Sequence, residues 1–418
     1  MKRFVLWDLP RVAFPLVVSV YLLNQAMHDG LDLRVYWAGA REFIGGGDLY
    51  AEGLPGTPFG GMSFTYPPFA AALMAPLALL PVELALVFQT LLNLIFAGAV
   101  GLLIARYLHS KSVFSVDSGR SRIWLTAAAV TGLVLLLGPW RNSLALGQIN
   151  PLLLVLIAVD LLGSSRRRPD GLLPRGILTG IAAGIKLTPL VFLLYFVVRG
   201  DIKSALRMGA TFAGTVALMA VLAPVLSAQY WLASLGQTNR VGDLSRFENV
   251  SIRGLIARLE VEPAVGTLLW VAASVAVVAL GALAVFVSRR DTDQWGAVAA
   301  TAIVMLLVSP VSWGHHWVWV AIMIPAVMGR FAESAPACFV WWRLLCSPAG
   351  VLSLLLLACF ALQPLEAAQA SGSPSPYSSI SPLSEMFVQS GLFAAILVLG
   401  WLAVSYSGSA RRGQLVAK

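Results

Sequence analysis

The chain has 418 residues, of which 12% are charged and 58% belong to the set AVILMFWYC. That charged share is about half that of an ordinary soluble domain, which excludes both a soluble enzyme and a disordered chain. The formal charge of +9, from 29 Lys and Arg against 20 Asp and Glu, marks cytoplasmic loops in a membrane chain, so no nucleic-acid partner is expected.

At about 20 residues per crossing, the roughly 240 apolar residues supply on the order of a dozen spans. The expected fold is an all-α polytopic membrane protein with about 10–12 transmembrane helices in one domain over 1–418. Lys2, Arg3 and Arg11 precede an apolar run with no small-residue cleavage pattern after it, which reads as an uncleaved first span. Apolar runs follow at 11–27, 83–106, 124–138, 150–164, 205–226, 264–288, 296–311, 317–331, 348–363 and 386–406. The basic groups fall between them: Arg106, Lys111, Arg120 and Arg122; Arg166 to Arg168 and Arg175; Arg199, Lys203 and Arg207; Arg289 and Arg290; Arg330 and Arg343; Arg411, Arg412 and Lys418. With these groups in the cytoplasm, both termini lie inside.

The segment 176–198 has basic groups on both flanks and is too short for two crossings. Either a broken or re-entrant pair turning near Lys186, Thr188 and Pro189 resolves the conflict, its irregular backbone buried in protein or lining a wet cavity, or one of the flanking basic groups faces outward. The extracytoplasmic side then collects 28–66, 139–148, 227–263, 312–316 and 364–385. These segments hold nearly every unusual polar cluster. Cys338, Cys346 and Cys359 show no metal or redox spacing.

Asp32 follows the first span. It suits the N-cap of a helix, or a partly desolvated carboxylate that takes a proton from a substrate hydroxyl; Arg34 beside it could pair with it or meet an anion. Tyr66 precedes Pro67 and Pro68, which fix the start of the next apolar stretch. Stretch 69–81 is too short to span. Asn150 before Pro151 reads as a helix cap, whereas Gln148 adds a hydrogen-bonding group suited to sugar hydroxyls. Lys186 lies inside an apolar run, where a charge costs at least about 2.5–3.5 kcal/mol and calls for a cavity and a partner; its position suits a phosphate. Arg253 lies in the outer loop after Asn249 and offers planar donors to phosphate oxygens. His315 and His316, half of the four histidines, stand between Trp313 and Trp317. Adjacent histidines lack the i, i+4 spacing of a helical zinc pair, so hydrogen bonding, acid–base chemistry or a phosphate fits them better than a metal.

In order along the chain, Asp32-Leu-Arg-Val-Tyr36, Phe64-Thr-Tyr-Pro-Pro-Phe-Ala70, Gly147-Gln-Ile-Asn150, Ile185-Lys-Leu-Thr-Pro189, Asn249-x-Ser-x-Arg-Gly254 and Ser309-Pro-x-Ser-Trp-x-His-His-Trp-Val-Trp319 resemble glycosyltransferase family 87. Within it they are most similar to the actinobacterial α-1,2-mannosyltransferases that extend phosphatidylinositol mannosides. The resemblance implies a GT-C bundle with an extracytoplasmic site, a polyprenyl-phosphate-mannose donor, a glycolipid acceptor and an inverting transfer. It implies Asp32 as general base and Lys186, Arg253, His315 and His316 around the donor phosphate. Arg34, Tyr36, Tyr66, Gln148, Asn150, Asn249 and Trp313 would contact substrate. A monophosphate leaving group and the lack of a DxD sequence near these motifs imply no cofactor and no obligatory metal. An arabinofuranosyltransferase using polyprenyl-phosphate-arabinose is the close rival, and a lipid or sugar transporter the more distant one.

Overall fold

The computed structural model describes residues 30–58, 61–111, 120–163, 173–290, 292–332, 347–361 and 389–405. The expected first span, both termini, Cys338, Cys346 and the Ser/Pro-rich stretch after 370 lie outside these residues. Among the described residues the architecture is helical, and the sole extended pairing is an isolated bridge between Asn249 and Trp313.

The helices follow the apolar runs. Three are long and apolar enough to cross a bilayer: Val82–Ser110 (α3), Ile202–Leu222 (α9) and Pro263–Arg290 (α12). Ser121–Leu136 and Gly138–Ala145 form a further apolar pair bent by 76°, a broken span or a re-entrant loop. Pro139 explains the bend, because it removes the N–H that would bond the carbonyl four residues back. The remaining runs give shorter apolar helices, including Asn150–Leu162, Gln294–Val308 (α13), Pro348–Ala361 and Ser390–Val404 (α16). Three full-length helices and the bent pair account for part of the expected ten crossings; the other apolar runs are described as shorter helices, several of which border residues outside the described set. Leu232, 86% exposed, and Val221, 80% exposed, stand on the outer surface as a lipid-facing wall requires.

The expected break in 176–198 is present. Ile177–Ile185 (α7) ends where Lys186 turns extended, a short 3-10 turn covers Thr188–Val191, and Phe192–Val198 (α8) resumes the path. Pro189 cannot donate to Ile185, so α7 has no means of continuing. Small residues let α7 lie close to α9: a side-chain carbon added at Gly180 or Gly184 would collide with Thr211 or Thr215.

Arg330, buried near the end of the helix Val320–Ala332, is a brace far from the polar motifs. Its Nε donates to Asp293 Oδ2 at 3.1 Å, Nη2 to Ser288 Oγ at 2.8 Å, and Nη1 to the Leu402 and Ser405 carbonyls at 2.9 and 2.8 Å. One guanidinium so joins the end of α12, the N-cap of α13 and the end of α16. Removing it leaves Asp293 charged and buried. Arg330→Ala is therefore expected to destabilise the protein by about 3–5 kcal/mol, read as a lower unfolding midpoint in detergent micelles; an unchanged midpoint would show that the ion pair braces nothing.

Candidate active site

The site is assembled by backbone devices that precede any side-chain contact. The helix Leu31–Gly45 (α1) starts at Gly30, φ 60°, and the N–H groups of Gly30, Asp32 and Leu33 donate to the Ala145 and Leu146 carbonyls at 2.8–3.0 Å. Asp32 is thus in the first turn and is not the cap: Gly30 takes the left-handed cap conformation, and a β-carbon there would collide with Leu86. Gly147, φ 70°, also has to be glycine, because a β-carbon would strike that of Leu33. The turn it makes points Gln148 toward α1. Gln89 and Asn93, one turn apart on α3 and buried, donate to the Gln148 carbonyl at 3.2 and 3.1 Å.

Around this turn lies a cavity of about 790 Å³ lined by Asp32, Tyr36, Tyr66, Gln148, Lys186, Trp313, His315 and His316. Six of the sequence motifs supply or support its wall. Lys186 donates to Asn150 Oδ1 at 3.2 Å and to His316 Nε2 at 3.1 Å, with the Tyr66 ring 5.4 Å from the ammonium. Asn150 Nδ2 donates to Gln148 Oε1 at 2.9 Å, Gln148 Nε2 bonds His315 Nε2 at 3.1 Å, Tyr36 donates to Gln148 Oε1 at 3.0 Å, and the Tyr36 and Tyr66 hydroxyls are 2.9 Å apart.

An ammonium only donates, so the direction of each bond in this network follows from Lys186. Asn150 must present its oxygen to Lys186 and its NH₂ to Gln148. Gln148 then receives on its oxygen and donates to His315 Nε2, which leaves the His315 proton on Nδ1. Tyr36 spends its proton on Gln148 and accepts from Tyr66. His316 accepts on Nε2, so its proton also sits on Nδ1; the ring's second bond is to the backbone of Val311. Burial, then the Lys186 charge, pushes His315 down to about 3 and holds His316 well below the ordinary histidine value. Both rings are neutral near pH 7. Burial also raises the Tyr36 and Tyr66 phenols above their ordinary value, so they keep their protons. Asp32 is near enough for its charge to act on Tyr36, Tyr66 and Lys186.

Three expected site residues lie elsewhere. Asn249 is fully buried and bonded to backbone on every side: Nδ2 donates to the Leu244 and Pro310 carbonyls, and Oδ1 accepts from the Ser312 N–H. It joins the loop before helix 252–257 to the segment around Pro310 and Ser312 and does not reach the cavity. Arg253 sits on the helix Ile252–Ala257, whose buried face carries Ile252 and Ile256. That phase turns Arg253 away, toward Thr267 Oγ1 at 3.3 Å and the Trp270 ring. Arg34 is likewise absent from the cavity wall, because helical spacing puts Val35 and Tyr36 there with Asp32. Asn150, read as a cap, makes no capping bond and is instead a hub of the network.

Sequence reasoning missed Gln89 and Asn93, although two polar residues four apart in an apolar span are a readable signal for an inward face. It also missed Glu52, Gln237 and Arg240 on the outer wall. Their loops carry no motif.

A half-buried carboxylate, a half-buried ammonium and neutral hydrogen-bond donors on one cavity wall suit a membrane group-transfer enzyme. Comparison with known proteins agrees: the profile of Glycosyltransferase family 87 matches residues 64–310, and the chain belongs to that family. Two relatives named polyprenol-phosphate-mannose-dependent alpha-(1-2)-phosphatidylinositol mannoside mannosyltransferase are each 38% identical. The one from Mycolicibacterium smegmatis aligns over 75% of this chain and 72% of its own; the one from Mycobacterium tuberculosis aligns over 71% and 69%. A relative from M. smegmatis whose name specifies the pentamannoside is 30% identical over 91% of this chain and 86% of its own. A crystal structure of ArnT from Cupriavidus metallidurans bound to undecaprenyl phosphate aligns over 98% of this chain and 79% of that one at 17% identity and a TM-score of 0.36.

The neutral histidines make stability depend on pH with a definite sign. Unfolded, each titrates near 6.5; folded, His315 stays neutral down to about 3. The stabilisation is complete above the unfolded value and is lost as pH falls below it, at about 1.4 kcal/mol per pH unit for each ring. The unfolding midpoint is expected to drop between pH 7 and pH 5, and His315→Gln to flatten the drop. An equally steep curve in the variant would show that His315 is not held neutral.

Proposed function

We propose that the chain transfers mannose from polyprenyl-phosphate-mannose to a phosphatidylinositol mannoside, forming an α-1,2 linkage at the extracytoplasmic face. Donor, linkage and acceptor class are those in the names of the relatives. The observation that carries the chemistry is the placing of Asp32 and Lys186, far apart in sequence, on the wall of one cavity.

The acceptor 2-hydroxyl gives its proton to the Asp32 carboxylate as its oxygen attacks the anomeric carbon. The new C–O bond forms on the face opposite the phosphate. The bond from that carbon to the phosphate oxygen breaks, and polyprenyl phosphate leaves with the electron pair. The β-linked donor so gives an α-linked product by inversion. Lys186 meets the charge that develops on the leaving oxygen: two of its N–H groups are held by Asn150 and His316, and the third is left for phosphate. His315 adds its Nδ1–H. His316, with both nitrogens engaged within the protein, positions the ammonium. Gln148 and Tyr66 hold the reacting sugars, and Trp313 supplies an aromatic face. No step calls for a metal or cofactor.

Membership of a glycosyltransferase family decides against the transporter, and the mannose-specific names of the relatives favour mannose over arabinose. Asp32→Asn is expected to lower the transfer rate by about 10²–10⁴-fold while the purified variant still binds the lipid-linked donor. Substantial residual turnover would remove Asp32 as the base, and incorporation of arabinose but no mannose by the wild type would replace the donor.

A further inference from the structure

The reaction just described uses the inner part of the cavity and leaves its outer wall unassigned. There Glu52, Gln237 and Arg240 line the same space as Asp32 and Lys186, together with Tyr230, Ser63 and Trp313. At about 790 Å³ the cavity is near the top of the range of about 300–1,000 Å³ that encloses whole small-molecule ligands. It is large for a mannosyl phosphate and a single acceptor sugar.

The outer wall is braced. Arg240 Nη2 donates to the Ala51 carbonyl at 3.2 Å, which ties the loop after α9 and the helix Pro224–Leu232 to the loop after α1. Gln229 Nε2 adds a bond to Asp48 Oδ1 at 2.9 Å. Within the α1 loop the Leu54 N–H donates to the Met62 carbonyl at 2.9 Å, and Gly53 and Gly61 approach so closely that a β-carbon on either would touch the other's backbone. The bond to Ala51 fixes one edge of the guanidinium. Arg240 Nε is buried and has no hydrogen-bond partner among the described residues, a costly state for a charged group unless a ligand completes it.

The character of that ligand follows from the neighbours. Glu52 is next in the chain to the residue that Arg240 bonds, and Gln237 is three residues before Arg240. A carboxylate, a carboxamide and a guanidinium give acceptors and donors side by side, as the vicinal hydroxyls of a neutral sugar require. The Glu52 charge repels a phosphate, which Lys186 takes at the inner end.

We infer that Glu52, Gln237 and Arg240 form a subsite for the acceptor sugar that precedes the reacting one, so that the enzyme reads two sugars of its acceptor. The inference rests on the mannosyltransferase reading above. It makes Arg240 and Gln237 determinants of acceptor length, separate from the donor site.

The test uses the purified full-length chain with a short-chain polyprenyl-phosphate-mannose donor and two acceptors that differ by one sugar: an alkyl α-mannoside and the matching alkyl α-dimannoside. The wild type is expected to favour the dimannoside in kcat/KM. Arg240→Ala is expected to cut that preference about tenfold, the loss of one hydrogen bond to a charged group. Gln237→Ala, an exposed position where folding is not at risk, is expected to cut it in the same direction by a smaller factor. A preference unchanged in both variants, or a donor KM raised in Arg240→Ala with equal loss on the two acceptors, would overturn the subsite and put Arg240 at the phosphate or in the scaffold. A wild type that transfers mannose equally well to both acceptors would overturn the subsite alone. A wild type that transfers mannose to neither would overturn the subsite and the function reading beneath it.

Discussion

One half-buried ammonium sets the polarity of the whole site. Lys186 has no acceptor to offer, so each amide, imidazole and phenol bonded directly or in series to it can take only one orientation. An ammonium at membrane depth is costly, and the chain offsets that cost with Asn150, His316 and the face of Tyr66. The result is a set of donors aimed before any substrate arrives, the condition under which electrostatic stabilisation of a leaving group costs least reorganisation.

The rest of the architecture serves to hold that lysine still. Pro189 stops α7 so that Lys186 lies at an open helix end and not along a lipid-facing helix. Gly147 permits the turn on which Gln148 reaches the network, and Gln89 and Asn93 clamp its carbonyl from the long helix α3. Asn249, fully buried, ties the loop before helix 252–257 to the segment that carries the two histidines. At the far end Arg330 gathers three helices.

Much of this was readable in the sequence where a residue type conflicts with its surroundings. A lysine in an apolar run, a proline three residues later and basic groups on both flanks favoured a break over an outward-facing basic flank, and the break is there. The polar clusters around Asp32, Tyr66, Gln148, Lys186 and His315 likewise converge on one cavity. What could not be read was helical phase and loop path. Arg253 carries suitable chemistry but points away, because Ile252 and Ile256 take the buried face of its short helix. Asn249 has the composition of a substrate contact, yet two loop carbonyls and an N–H saturate it. Arg240, in a loop without pattern, reaches the cavity only because the chain after α9 folds back over the loop after α1.

The central claim is that the lipid phosphate lies at the Lys186 end of the cavity, with the reacting carbon between it and Asp32. An experimental structure of the protein with bound polyprenyl phosphate tests this most directly. Phosphate oxygens are expected about 3 Å from Lys186 Nζ and His315 Nδ1, the length of charge-assisted hydrogen bonds, with His316 still bonded to Lys186. A phosphate held instead by Arg240 at the outer wall, with Lys186 engaged only by protein groups, would contradict it.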